Sequence, residues 1–275
     1  MRDRTAEFFS YLIVIIAIII IIIPLSLVLI ISMSDWGTFQ KNIFSVFETG
    51  PVWSNYTRAW IEGKMAGRFL NTGIVLMISL LITNGCASLL AFGIKKYAAK
   101  VGNITYYIVL AGTFIPVQAL MLPLYNTMSS LHLLNTYFGL ALVYSGMAIP
   151  LATMLYCGFY RSLPGELLEA AEIDGCRDLK TYFSITLPLA KPIITTVSIL
   201  SGLTIWKDFY INLIVISDVH KKLISTSMLS FVNEYTTEWS GVCAAMVMQS
   251  IPVILIYLVL QKQFIKGITA GAVKG

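Results

Sequence analysis

Long stretches of this chain carry no charged residue. Tyr11–Ile31 is a run of 21 such residues, and one helix crosses a bilayer core with about 20 apolar residues. Five more stretches of similar character follow, at about 69–94, 103–128, 136–159, 192–216 and 241–264. They are continuous runs, without the polar–apolar alternation of a membrane β-strand, so the pattern predicts helices and excludes a barrel. The first run is too long for a signal-peptide core and reads as a retained helix. Prolines fall inside four of the six: Pro24, Pro116 with Pro123, Pro150 and Pro252. A proline frees backbone groups that must find partners in the bundle or in a wet cavity, and the first helix is expected to bend at Pro24. The expected fold is all-α, a polytopic membrane protein of six transmembrane helices over 11–265, with terminal segments 1–10 and 266–275.

Composition sharpens this. Hydrophobic residues make up 57% of the 275 positions and charged residues 12%, where an ordinary globular chain carries about 25% charge. So few charges cannot cover a soluble surface, which excludes a soluble enzyme, and the apolar content excludes disorder. The formal net charge of +5 would suit nucleic acid, but its distribution points elsewhere. Twelve of the 19 basic residues lie on the side of the two termini, six lie opposite, and Lys207 lies inside a span. The positive-inside rule therefore puts both termini in the cytoplasm, implies membrane lipid as a partner, and leaves nucleic acid without a role. Trp36, Trp53, Tyr56 and Trp60, in the outer segment 33–68, read as interface anchors. Cys86, Cys157, Cys176 and Cys243 are scattered singly, and His132 and His220 lie apart, so no metal site is expected.

The segment 160–191 is the only long loop on the cytoplasmic side. Pro164 suits a helix start, with Ser162 near the cap. Glu166, Glu169 and Glu172 follow at a spacing of three, on adjacent turns of one face and toward the positive end of the helix dipole. Asp174-Gly175 is a helix stop, with Gly175 suited to a left-handed conformation. A second short helix is expected over Asp178–Ile185, ending before Pro188. An acidic face is wrong for an anionic inner leaflet, so a protein partner is expected there, and Ala170-Ala171 would let it approach closely.

This loop resembles the EAA loop of binding-protein-dependent ATP-binding-cassette importers. Glu169-Ala170-Ala171, Gly175, Ile185 and Leu187-Pro188 stand at that motif's spacing. Phe69-Leu70-Asn71-Thr72, Leu133-Leu134-Asn135-Thr136-Tyr137, Trp206-Lys207-Asp208-Phe209 and Gly271–Gly275 resemble the carbohydrate subfamily, with Lys207 where asparagine is usual. The likeness covers about 69–275 and points to the second permease subunit of a sugar importer, which resembles the smaller permease subunit of maltose-type transporters.

The resemblance implies a type I importer fold with a cytoplasmic coupling helix and no catalytic residue on this chain. It implies a second, different permease subunit, two ATPase subunits beneath and an extracytoplasmic binding protein above. ATP and magnesium would sit on the ATPase subunits, and the sequence itself has no GxxxxGK[ST] phosphate loop. Docking to the ATPase would fall to Glu166, Glu169, Ala170, Ala171, Asp174, Gly175, Ile185, Leu187 and Pro188. The outer loop 217–239 would face the binding protein.

Polar groups inside spans face the bundle or water. Those here are Asn84, Gln118, Asn126, Lys207, Asp208, Asn212 and Gln249, with Tyr125, Trp206, Phe209 and Tyr210 as surfaces for sugar rings. Each polar residue has two readings, substrate path or interhelical hydrogen bond. Lys207 and Asp208, about 100° apart on a continuous helix, would not neutralise each other. A sugar, above all an oligosaccharide, is the expected cargo, with glycerol-phosphate or another polyol as the alternative. A stand-alone secondary transporter would leave the acidic loop unexplained and should show inverted repeats, which the sequence lacks. A membrane enzyme would need a convergent catalytic cluster.

Overall fold

The computed structural model describes residues 4–42, 45–97 and 99–272, and for 4–8, 45, 168, 172 and 260–272 the backbone alone. Its helices in chain order are α1 (Arg4–Ser32), α2 (Trp36–Phe39), α3 (Ser45–Thr49), α4 (Ser54–Glu62), α5 (Met65–Lys96), α6 (Ala99–Ala111) and α7 (Val117–Ser130). There follow α8 (Tyr137–Ser162), α9 (Glu166–Ile173), α10 (Asp178–Thr181), α11 (Leu187–Leu189), α12 (Lys191–Lys207), α13 (Tyr210–Val215) and α14 (Trp239–Ala272). Among the described residues the sole β feature is one isolated bridge, Val232 to Thr237. Among the described residues, four helices are long and apolar enough to cross a membrane, and up to six spans result if each of two bent helix pairs counts as one. The chain is a multi-pass, all-helical protein, as the pattern predicts.

The span boundaries differ from the sequence reading in instructive ways. Helix α1 runs unbroken through Pro24. The third span is broken instead: α6 ends in a short 3-10 turn, and α7 leaves at 99° after Pro116. Proline forces its predecessor out of the helical region, and Ile115 is extended, with φ −81° and ψ 117°. Pro123, Pro150 and Pro252 lie within continuous helices. The fifth run does not continue to Ile216, because α12 stops at Lys207 and α13 restarts at Tyr210. Helix α14 extends to Ala272, so the described part of the expected tail 266–275 is helical. Residues 273–275 of the terminal motif lie outside the described residues.

The chain divides into two units, 1–66 with 226–252 and 67–225 with 253–275. In the first, the end of α1 has carbonyls that its own helix cannot satisfy. Asn55 of α4 donates to Ser32 O and Ser34 O at 3.1 and 3.0 Å, and Ser240 Oγ donates to Ser34 O at 2.8 Å. Arg58 forks onto Glu238 through both terminal nitrogens, one contact at 2.8 Å. Those bonds hold the Glu238 carboxyl below the usual carboxylate range and push Arg58 up. Residues 9–25 of α1 are exposed, and burial against the rest of the chain begins toward its end, where Ile30 and Ile31 are half-buried and Ser32 is buried.

In the second unit, α5, α8 and α12 pack through two clusters. One, at the end bearing the 160–191 loop, uses Ala87, Ala91, Ala152 and Ala190 to bring backbones close around Tyr156, Tyr160 and Tyr182. The other gathers Val75, Leu140, Tyr144, Ile205, Ile211 and Leu223 at the opposite end. Buried Gly102 crosses α5 so closely that a Cβ there would strike the Ile94 carbonyl. Thr136 caps α8, its Oγ1 accepting from Gly139 N at 3.0 Å.

Candidate functional site

The loop 160–191 is built as a projecting helix on a pinned base. Helix α9 covers Glu166–Ile173, as the acidic spacing and the stop signal predict. Glu166, Glu169, Ala170 and Asp174 are exposed, and Ile173 is 87% exposed, while Ala171 is buried. The side chains of Glu172 and Leu168 lie outside the described residues, so the third acidic position is not placed. Gly175 has φ +72°, the left-handed conformation that glycine adopts without strain. Cys176 N then donates to Ala171 O at 2.9 Å, satisfying a terminal carbonyl of the helix. Ser162 does not cap α9. It is the last residue of α8, and its Oγ donates back to Phe159 O at 2.7 Å.

The return arm also departs from expectation. Helix α10 covers only Asp178–Thr181, a π turn follows over Tyr182–Thr186, and α11 carries the chain through Pro188. Pro188 lacks an N–H and crowds the carbonyl four residues back. The widened turn just before it, in which Leu187 N donates to Tyr182 O, relieves that crowding. Ile185 and Leu187 are half-buried and Pro188 is exposed.

The second feature is the break between α12 and α13. Asp208 is the cap of α13: one carboxylate oxygen accepts from Ile211 N at 3.0 Å, Asn212 N at 3.4 Å and Tyr144 Oη at 2.9 Å. Ser225 Oγ donates to Asp208 O at 2.5 Å. The carboxylate is thus held by this chain's own donors. Lys207 is exposed beside it and has neither ion pair nor hydrogen bond among the described residues. Trp206 packs against Phe69 with the rings tilted by 37° and centroids 5.9 Å apart, and Asn212 is fully buried. Lys207 and Asp208 do not share one continuous helix, since α12 ends at Lys207 and α13 begins at Tyr210. The two diverge because the helix ends between them.

Residues 83–270 match the family described as binding-protein-dependent transport system inner membrane component. The match spans both features and more than half of the chain. The chain belongs to this family. The permease is 32% identical over 243 residues to the probable ABC transporter permease protein YurM of Bacillus subtilis, covering 86% of this chain and 80% of the relative. It is 32% identical over 231 residues to the melibiose/raffinose/stachyose import permease protein MelC of the same species, covering 84% of each. The multiple sugar-binding transport system permease protein MsmG of Streptococcus mutans is 31% identical over 276 residues, covering 99% of each chain. A crystal structure of a bacterial ABC transporter involved in import of the acidic polysaccharide alginate has a chain of the same fold, with a TM-score of 0.77 at 20% identity, covering 96% of this chain and 99% of that one. The family is one of transport-system membrane components, not of enzymes.

The remaining polar candidates of the permease separate. Asn84 is an interhelical link: it donates to Ser198 Oγ at 3.1 Å and accepts from Tyr156 Oη at 2.7 Å. Gln118, Tyr125 and Asn126 lie exposed on α7, without hydrogen bonds among the described residues. Gln249 is half-buried in the other unit. Trp206, Lys207, Asp208 and Asn212 all lie at the break between α12 and α13, where Asn212 N donates to Asp208.

Sequence reasoning missed two sets of residues that hold these features. Asn71 donates to His220 O and Lys222 O at 2.8 and 3.0 Å and accepts from Tyr137 Oη at 2.7 Å, while Thr72 accepts from Ile224 N at 2.9 Å. Asn135, at φ +58°, accepts from Ser217 N and Asp218 N at 2.7 and 2.9 Å. These asparagines pin 215–224 to α5 and α8. Their motifs were the available signal, quoted above only for resemblance. The second set is Ser88, Tyr160 and Tyr182, for which the sequence holds no spacing signal.

Proposed function

We propose that this chain is the permease subunit of an ATP-driven importer of sugars, above all oligosaccharides. The observation that carries this is the exposed acidic helix α9 with its left-handed Gly175, on a chain of this family. A charged helix whose own chain buries little of it fits a surface built to be covered by another protein. Two ATPase subunits holding ATP and magnesium would take α9, through Glu166, Glu169, Ala170, Ala171, Asp174 and Gly175, with Ile185, Leu187 and Pro188 on the return arm. A second permease would complete the pathway, and an extracytoplasmic binding protein would deliver substrate to the side of the 217–239 loop. Both termini and α9 would be cytoplasmic. The sugar class is supported by relatives such as MelC and MsmG, named for melibiose, raffinose, stachyose and multiple sugars.

In the membrane path, the geometry favours the exposed end of α12. Lys207 and Thr204 are exposed one turn apart, and Trp206 is half-buried against Phe69. Asp208 has a positioning role, since its carboxylate is already satisfied. Affinity purification tests the assembly. A tagged permease should bring down an ATPase and a second permease, and Ala170→Trp, on the exposed face of α9, should lose the ATPase while keeping the second permease. An unchanged ATPase yield with that variant would contradict docking on α9.

A further inference from the structure

The loop that carries α9 leaves the bundle at Tyr160 and returns at Tyr182. Both hydroxyls meet at one atom. Tyr160 Oη lies 2.6 Å from Ser88 Oγ, and Tyr182 Oη donates to the same oxygen at 2.9 Å. All three residues are essentially fully buried. Ser88 lies on α5, and the same face of α5 continues the attachment. Phe92 packs on the Tyr182 ring at 5.4 Å between centroids. Lys95 Nζ donates to Tyr160 O at 2.6 Å and Leu163 O at 3.3 Å, and Lys96 pairs with Asp178 at 2.6 Å. Positions 88, 92, 95 and 96 follow the helical repeat, so one stripe of α5 lies under both arms of the loop.

We propose that Ser88 is the positioning residue through which displacement of the 160–182 loop reaches the transmembrane helices. This rests on the reading of α9 as the docking helix. Among the described side chains of α9 itself, only Ala171 is buried. The load passes through the two arms. Hydrogen bonds in a buried setting are directional and costly to leave unmade, so the pair at Ser88 resists sliding of either arm along α5. The loop base therefore moves with α5 and α8 as one piece. The π turn contributes by placing Tyr182 at its first position, with the ring directed into the cluster of Phe92, Tyr156 and Tyr160.

The test uses the assembled transporter in proteoliposomes, with ATP hydrolysis and sugar uptake measured on the same vesicles. Tyr182→Phe keeps the ring and its packing and removes one hydroxyl. Ser88→Ala removes the shared oxygen. Both should keep ATP hydrolysis within about twofold of the parent, while sugar moved per ATP falls about three- to tenfold, the effect of one or two buried hydrogen bonds. The double variant should be no worse than Ser88→Ala alone, because the same bond is lost. If Ser88→Ala does not assemble, Tyr182→Phe decides. A sugar-to-ATP ratio equal to the parent's, whatever the absolute rates, overturns the proposal. Ala170→Trp, on the exposed face of α9, separates the two readings. If it uncouples while Tyr182→Phe does not, only the role of Ser88 fails. If Ala170→Trp changes neither rate, docking on α9 fails and the role of Ser88 falls with it.

Discussion

At the scale of single residues, Lys207 and Asp208 show how neighbours in one motif part company. Asp208 is spent on structure: it caps α13 and accepts from Tyr144. Asp208→Ala should cost about 2 kcal/mol, from a lost cap and an unpaired buried hydroxyl, read as a lower melting temperature in detergent. Lys207 is exposed and makes no hydrogen bond or ion pair among the described residues. Lys207→Met should leave the melting temperature unchanged or raise it, and a fall matching that of Asp208→Ala would contradict the assignment. The sequence marked both as costly charges inside a span. It could not tell them apart, because the donors to Asp208 come from a helix 64 residues away and from a restart that no proline or glycine announces.

Individual elements were legible where the physics is local. Helix α9 follows from acidic residues at its start and a glycine at its end, and the break at Pro116 from proline sterics. The π turn before Pro188 was not legible, since the wider hydrogen-bond ring decides it. Gly175→Ala should strain the left-handed position by about 1 kcal/mol and fray the end of α9, visible as faster amide exchange at Cys176. In the other unit, the Arg58–Glu238 pair ties α4 to the start of α14. Its contribution is present above the unfolded carboxylate value of about 4.3 and is lost as pH falls through the lower folded value. Both side chains are over a third exposed, at 42% and 37%, so the pair contributes on the order of 0.2–1 kcal/mol. Tryptophan fluorescence of the permease should show this acid-side loss, and Glu238→Gln should remove it.

For the whole molecule, the hydrophobic pattern read the class and the approximate spans, and the EAA spacing read the family. The bent pairs remained hidden, because composition averages over a break. The buried serine–tyrosine joint was equally invisible, since Ser88 and Tyr182 are 94 positions apart. The account makes this chain one part of a machine whose energy comes from elsewhere. Uptake by proteoliposomes tests that most directly. With the second permease, the ATPase subunits and the binding protein present, the permease should support sugar uptake that requires both ATP inside and binding protein outside. Uptake by this chain alone, without ATP, would contradict the account.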